Sequence, residues 1–249
     1  MSWISFSAYS VETKEVFCNR EAVLRAVIFD FNGIIIDDEP IHFELFQQVL
    51  AEEGIALTEA DYYARYLGYD DRGAFTAAYR ENGRPLGEPQ LARLIGRKAA
   101  YYRNAIRNKV TIFPGVRPLL AALAPTFPLA VASGALRHEI DTILTTAGLL
   151  SYFPIIVSAE DVNAGKPEPE IFLKALALLN AQVDDGRPIG AAECLVIEDS
   201  KEGVHGARRA GMKCLAVTNS HPAELLTGAD AVVKSLEEVQ ISFLKQICA

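Results

Sequence analysis

The feature that most constrains this chain is a series of short, unbroken apolar runs separated by segments of helix length. The runs are Ala26-Val27-Ile28-Phe29, Leu129-Ala130-Val131-Ala132, Ile155-Ile156-Val157, Cys194-Leu195-Val196-Ile197, Leu215-Ala216-Val217 and Ala231-Val232-Val233. They show no polar alternation, which suits strands covered on both faces, as in a parallel sheet. Amphipathic segments near 116–124, 136–147, 169–180 and 201–210 lie between them, long enough for the crossovers that parallel strands require. The expected fold class is therefore α/β, a doubly wound, Rossmann-like parallel sheet.

The first two runs are separated by about a hundred residues, far more than one crossover needs. Residues 40–110 contain no convincing strand, but carry helical patterning at 40–53, 59–66, 71–81 and 88–107, broken by Gly54, Gly68, Gly83-Arg84-Pro85 and Gly87. An all-helical domain is expected to be inserted there, re-entering the core at Phe113-Pro114-Gly115. The division is 23–38 and 112–249 for the core and 39–111 for the helical insertion, with 1–22 as an extension that the core does not explain. Seven of the nine tyrosines fall in the insertion, where the plain expectation is that they pack helices with their hydroxyls at the surface. Arg93, Arg97, Lys98, Arg103 and Arg107 read as a solvated helix face.

A formal net charge of -8 opposes a polyanion-binding surface, since nucleic-acid affinity comes largely from basic side chains neutralising phosphates. No nucleic-acid partner is expected. Cys18, Cys194, Cys214 and Cys248 are widely spaced and form no C-x-x-C pair, so they read as reduced thiols. The first residues, MSWISFSAYSVETKE, lack a basic leader, and no apolar run is long enough to span a bilayer. A cytoplasmic protein without a membrane partner, monomeric or weakly dimeric, is the expectation.

In an open parallel sheet, ligands bind beyond the carboxyl ends of the strands. The first run ends in Asp30-Phe31-Asn32-Gly33, the second in Ser133-Gly134, the third leads to Gly165-Lys166-Pro167, and the fourth ends in Glu198-Asp199-Ser200. Singly, each has an ordinary explanation as a helix cap, a turn or a solvated acidic face. In order on four successive strands, they would converge on one crevice. A phosphate substrate would give each of them a role. Asp30 can attack phosphorus, Glu198 and Asp199 offer hard oxygens to Mg²⁺, and Ser133, the Gly134 amide and Lys166 can hold phosphoryl oxygens.

These motifs, with Ile34-Ile35-Ile36-Asp37-Asp38-Glu39-Pro40, Pro167-Glu168-Pro169 and the later Gly203, Ala207, Ala210 and Gly211-Met212, resemble the four signatures of the haloacid-dehalogenase superfamily. The resemblance runs from about residue 24 to 233 and points to the phosphatase and β-phosphoglucomutase-like branch, whose helical cap the insertion resembles. It implies a Mg²⁺-dependent phosphatase acting on a small phosphorylated substrate. By the same resemblance Asp30 is nucleophile and metal ligand, the main-chain carbonyl of Asn32 is a second ligand, Glu198 and Asp199 anchor the metal, and Ser133, Gly134 and Lys166 hold the phosphate. His42 follows Glu39-Pro40, where relatives often carry histidine, although a lone His is more often a packing or capping residue. Arg72 lies in a stretch with Gly68 where relatives place specificity residues.

The departure is Asn32. Phosphatases and mutases of the branch carry aspartate there, to protonate the leaving oxygen and then activate water. An amide has no titrating proton near neutral pH, and losing an acid–base catalyst costs about 10²–10⁴-fold. Three explanations stand: a phosphatase for good leaving groups or one that borrows His42 as its acid, an engineered trap, or a phosphate-binding protein with little turnover. A sugar-phosphate mutase is a further alternative, disfavoured by Arg137, which follows Ser133 by four as in many phosphatases. A receiver module would reverse the order of acidic pair and phosphoacceptor, and a dinucleotide oxidoreductase would need G-x-G-x-x-G after the first strand.

Overall fold

The computed structural model describes residues 23–67, 69, 71–182 and 186–249, apart from the side chains of 107–109. The expected N-terminal extension, 1–22, and Gly68 lie outside the described residues. In chain order the elements are β1 (Ala26–Phe29), β2 (Ile36–Asp37), α1 (Glu39–Glu52), α2 (Glu59–Arg65), α3 (Asp71–Glu81), α4 (Glu88–Lys109), β3 (Thr111–Ile112), α5 (Val116–Leu123) and β4 (Leu129–Ala132). They continue with α6 (Arg137–Thr146), β5 (Ile155–Val157), α7 (Glu170–Asn180), β6 (Cys194–Glu198), α8 (Lys201–Arg209), β7 (Lys213–Val217), β8 (Ala231–Val233) and α9 (Ile241–Ile247).

Among the described residues the main sheet holds six strands, all parallel, in the order β5-β4-β1-β6-β7-β8. Strand β1 therefore sits at the point where the winding reverses, with β4 on one side and β6 on the other, and its carboxyl end opens into the crevice such a reversal creates. The unbroken apolar runs have a direct cause. Val27 and Phe29 face one buried cluster with Val131, Leu195, Ile197, Ile140 of α6 and Leu244 of α9. Ala26 and Ile28 face a second, with Ala130, Val196, Phe172 of α7 and Val204 of α8. Helices on both faces favour apolar residues along the middle of each strand and leave the polar ones, such as Glu198 and Lys213, at the strand ends.

The helical insertion has a core of its own. Phe46, Val49 and Leu50 of α1, Tyr62 of α2, Phe75 and Tyr79 of α3 and Leu94 of α4 form a third buried cluster. Its helices start at recognisable signals. Thr58 caps α2 by accepting from the Asp61 N–H at 3.1 Å, while Pro40 and Pro89 stand in the first turns of α1 and α4, where a missing N–H costs nothing. Chain passage between the sheet and the insertion runs through β2 and β3, which pair antiparallel, Ile36 with Ile112 and Asp37 with Thr111.

Two expectations about the insertion need correction. Lys98 is not on a solvated face. It is 4% exposed, because it lies on the side of α4 that meets α1 and α3, where its Nζ contacts His42 and Asp71. Nor do the tyrosine hydroxyls simply reach the surface: those of Tyr62, Tyr66, Tyr79 and Tyr102 donate to Glu39, Glu81, Glu53 and Asp38, so that these buried rings keep partners for their polar ends.

Candidate active site

Asp30 is the first residue beyond β1, and its N–H donates to the Ile197 carbonyl at 2.9 Å, which extends the β1–β6 ladder by one step. That ladder aligns Phe29 with Ile197 and so brings Glu198 and Asp199 alongside Asp30. Asp30, Glu198 and Asp199 each offer a carboxylate oxygen, all within 4.8 Å of one another, and all three residues are buried. Lys166 enters from the loop after β5, its Nζ 2.7 Å from Asp30 Oδ1 and 2.6 Å from Glu198 Oε1. The Lys166–Pro167 peptide is cis.

Glu198 is the most firmly held of the three. Its Oε2 accepts from the N–H groups of Asp199 and Ser200 and from the Ser200 hydroxyl, each at 2.9 Å. Ser200 in turn caps α8 through the Gly203 N–H at 3.0 Å. The Ser220 hydroxyl bonds Asp199. On the other side, Gly33 adopts φ 77°, a conformation that suits glycine, and a side chain there would come within 1.9 Å of Asp199 Oδ2.

Three carboxylates and one ammonium in a buried site leave an excess of negative charge. Burial, with repulsion from Glu198, pushes Asp30 up to about 7 against the opposing pull of Lys166. The same two influences raise Asp199 well above the carboxylate range. Burial acts against Glu198 also, but Lys166 and the Ser200 donors outweigh it and hold Glu198 below its ordinary value. Lys166 is raised, because Asp30 and Glu198 more than offset its own burial. A cluster of hard oxygen donors whose mutual repulsion opposes full ionisation fits a hard divalent cation, which removes that repulsion.

The cleft over this centre has a volume of about 560 Å³, and Asp30, Asn32, Asp38, His42, Asp199 and His221 are among its walls. Asn32 belongs to a network that ties the sheet to the insertion. Asn32 Nδ2 and the Tyr102 hydroxyl each donate to Asp38 Oδ2 at 2.7 Å, and His42 Nε2 lies 3.1 Å from the same oxygen. His42 stacks on Tyr102 with ring centroids 4.9 Å apart, and its Nδ1 is 2.8 Å from Lys98 Nζ. Burial would raise Asp38, but donation from His42, Tyr102 and Asn32 brings it below its ordinary value.

Ser133 directly follows β4, the strand that pairs with β1. Its N–H donates to Val157, its hydroxyl accepts from Ala135 N–H at 3.1 Å, and it is 2% exposed. A side chain at Gly134 would meet nothing within 4 Å, so space is open beside that amide. Arg72 is not brought to the centre: its guanidinium is held in an exposed pair with Glu88 at 2.8 Å. Arg137 is likewise engaged elsewhere, on the Ile156 carbonyl at 2.8 Å and with Asp141 and Asp161. Sequence reasoning missed Asp38, Tyr102, Asn219 and Ser220. Asn219, which donates to the Gly33 carbonyl at 2.6 Å, and Ser220 follow the fifth apolar run, so the strand-end rule applied once more finds them. Asp38 and Tyr102 carry no comparable signal.

The winding and the centre together define an α/β protein with a buried acidic, cation-ready site at the carboxyl ends of its central strands. The chain belongs to the haloacid dehalogenase-like hydrolase family, whose sequence model matches residues 27–217. It is 30% identical to the phosphorylated carbohydrates phosphatase of Thermotoga maritima over 239 residues, which cover 90% of this chain and 100% of that protein. It is 27% identical to the β-phosphoglucomutase of Bacillus subtilis, over 90% of this chain and 95% of that one. Among solved structures, a haloacid dehalogenase-like protein from Agrobacterium tumefaciens superposes with a TM-score of 0.74 at 28% identity, over 90% of this chain and 99% of that one. A family hydrolase from Deinococcus radiodurans with bound phosphate and sodium gives 0.71 at 27% identity, over 91% and 98%.

Proposed function

We propose that this protein is a Mg²⁺-dependent phosphatase acting on a small phosphorylated metabolite through an aspartyl-phosphate on Asp30. The observation that carries the reading is the position of Asp30, 2.7 Å from Lys166 and within 4.8 Å of Glu198 and Asp199 at the reversal point of the sheet. Mg²⁺, held by the carboxylates of Asp30, Glu198 and Asp199 and by the main-chain carbonyl of Asn32, would supply positive charge against the phosphoryl oxygens. Asp30 keeps one carboxylate oxygen for attack on phosphorus. Lys166, the Ser133 hydroxyl and the Gly134 N–H bind the transferred group, and the helical insertion, as a cap, excludes bulk water from the cleft. Hydrolysis of the aspartyl-phosphate then returns Asp30. The relatives named for phosphatase and mutase activity support phosphate chemistry at this centre, and the phosphate in the Deinococcus structure agrees with it.

The test is release of inorganic phosphate from a panel of phosphate esters and acyl phosphates. Release is expected with Mg²⁺, and is expected to vanish on chelation with EDTA and in Asp30→Ala. Turnover that survives either treatment overturns the reading.

A further inference from the structure

The amide at position 32 is not free to choose which end it presents. Asp38 Oδ2 receives Asn32 Nδ2 and the Tyr102 hydroxyl at 2.7 Å each and faces His42 Nε2 at 3.1 Å. Lys98 Nζ, with three protons and no lone pair, occupies His42 Nδ1 at 2.8 Å, so the ring proton sits on Nε2 and points to Asp38. An oxygen that collects donors in this way requires the NH₂ end of Asn32 and leaves its Oδ1 out of that bond, on a residue that lines the cleft together with Asp30. Asn32 can then hold a water or a hydroxyl by accepting its hydrogen, and has no proton to give. His42 cannot lend one, since both its nitrogens are engaged within the network.

We propose that Asp38 is a positioning residue that makes Asn32 a fixed, acceptor-only group, and that this pair restricts the centre to phosphoryl donors whose leaving group departs without a proton. Acyl and aryl phosphates are that class, and alkyl phosphate esters are not. The inference rests on the Asp30 reading above. In the first step an oxygen of the Asp30 carboxylate forms a bond to phosphorus while the bond from phosphorus to the leaving oxygen breaks. Its electron pair leaves as a carboxylate or phenoxide, and no proton moves. In the second, water held by Asn32 Oδ1 adds to phosphorus, the Asp30–phosphorus bond breaks, and both protons of the water stay on the released phosphate as H₂PO₄⁻.

The pairing also says what would reverse the restriction. Asn32→Asp alone sets two carboxylates 2.7 Å apart. Asn32→Asp with Asp38→Asn exchanges donor and acceptor across that hydrogen bond and places a titrating group in the cleft, while the amide at position 38 gives up the contact with His42 Nε2.

Phosphate release with Mg²⁺ from acetyl phosphate, 4-nitrophenyl phosphate and glucose 6-phosphate tests this. The unmodified protein is expected to turn over the first two about 10²-fold or more faster in kcat/KM than the third. The double exchange is expected to raise the turnover of glucose 6-phosphate relative to that of acetyl phosphate about 10²-fold, with Asn32→Asp alone gaining less than the exchange. Comparable turnover of all three probes by the unmodified protein, as a proton from His221 in the cleft wall would produce, overturns the proposal and leaves the Asp30 reading intact. So does an exchange that moves all three equally. Release from none of them overturns the Asp30 reading itself. If the exchanged protein fails to fold, the leaving-group series of the unmodified protein decides alone: a steep series upholds the proposal, a flat one overturns it.

Discussion

A methyl group added at Gly203 would lie 1.7 Å from Glu198 Oε1 and 1.8 Å from its Cδ. Glu198 is wholly buried and already fixed by Lys166 and Ser200, so it has nowhere to go. Gly203→Ala is therefore expected to destabilise the fold by about 1–3 kcal/mol through overpacking, read from urea unfolding, and to weaken Mg²⁺ binding in the folded fraction. Lys166→Met makes a different claim. It removes the ammonium that Asp30 and Glu198 share, and is expected to lower kcat by about 10²–10³-fold, the usual effect of losing one group that offsets charge in the transition state. Steady-state kinetics on a protein shown by circular dichroism to be folded would decide it. At this scale the sequence named Asp30, Lys166, Glu198 and Asp199 because each directly follows or closely trails an apolar run. It misassigned Lys98, because a charged residue on a helix looks the same whether the helix turns it outward or against a neighbour.

Among the elements, the four helices of the insertion and the strands of the sheet were legible within a residue or two, since hydrophobic periodicity is set by the face each element buries. Strands β2 and β3 were not. With two residues each they carry no period, and their pairing is between positions 36 and 112 and 37 and 111, which no local pattern encodes. Helix α9 was missed as well, although Leu244 closes the first core cluster. The separate core of the insertion makes its own prediction. Phe75 is fully buried against Phe46, with ring centroids 4.8 Å apart, and Phe75→Ala is expected to cost about 3–5 kcal/mol of stability by cavity formation. Protection of α1–α4 amides in hydrogen exchange should fall first, ahead of the sheet, because the cavity lies in the insertion's cluster and not in either core of the sheet.

For the molecule as a whole, the proposed Mg²⁺ site links metal binding to the fold. The three carboxylates come from β1 and from the end of β6, and are assembled only when the sheet is. Mg²⁺ at about a hundred times its dissociation constant should then add about 2.7 kcal/mol to stability, a rise of about 5–10 °C in the thermal midpoint for a chain of this size. Glu198→Gln is expected to abolish the rise, and an equal rise in that variant would place the metal elsewhere. No described helix is long and apolar enough to cross a membrane. What the sequence by itself determined is the doubly wound sheet, the helical insertion and the acidic centre, because burial on two faces and position at a strand end are both written in consecutive residues. Only the tertiary structure decided how Asn32 behaves. Its amide is oriented by Asp38, and Asp38 by Tyr102 and His42, with His42 held in turn by Lys98. These side chains are spread from position 32 to position 102 and meet only when α1 and α4 pack beside the end of β1, so no local pattern of residues could have shown it.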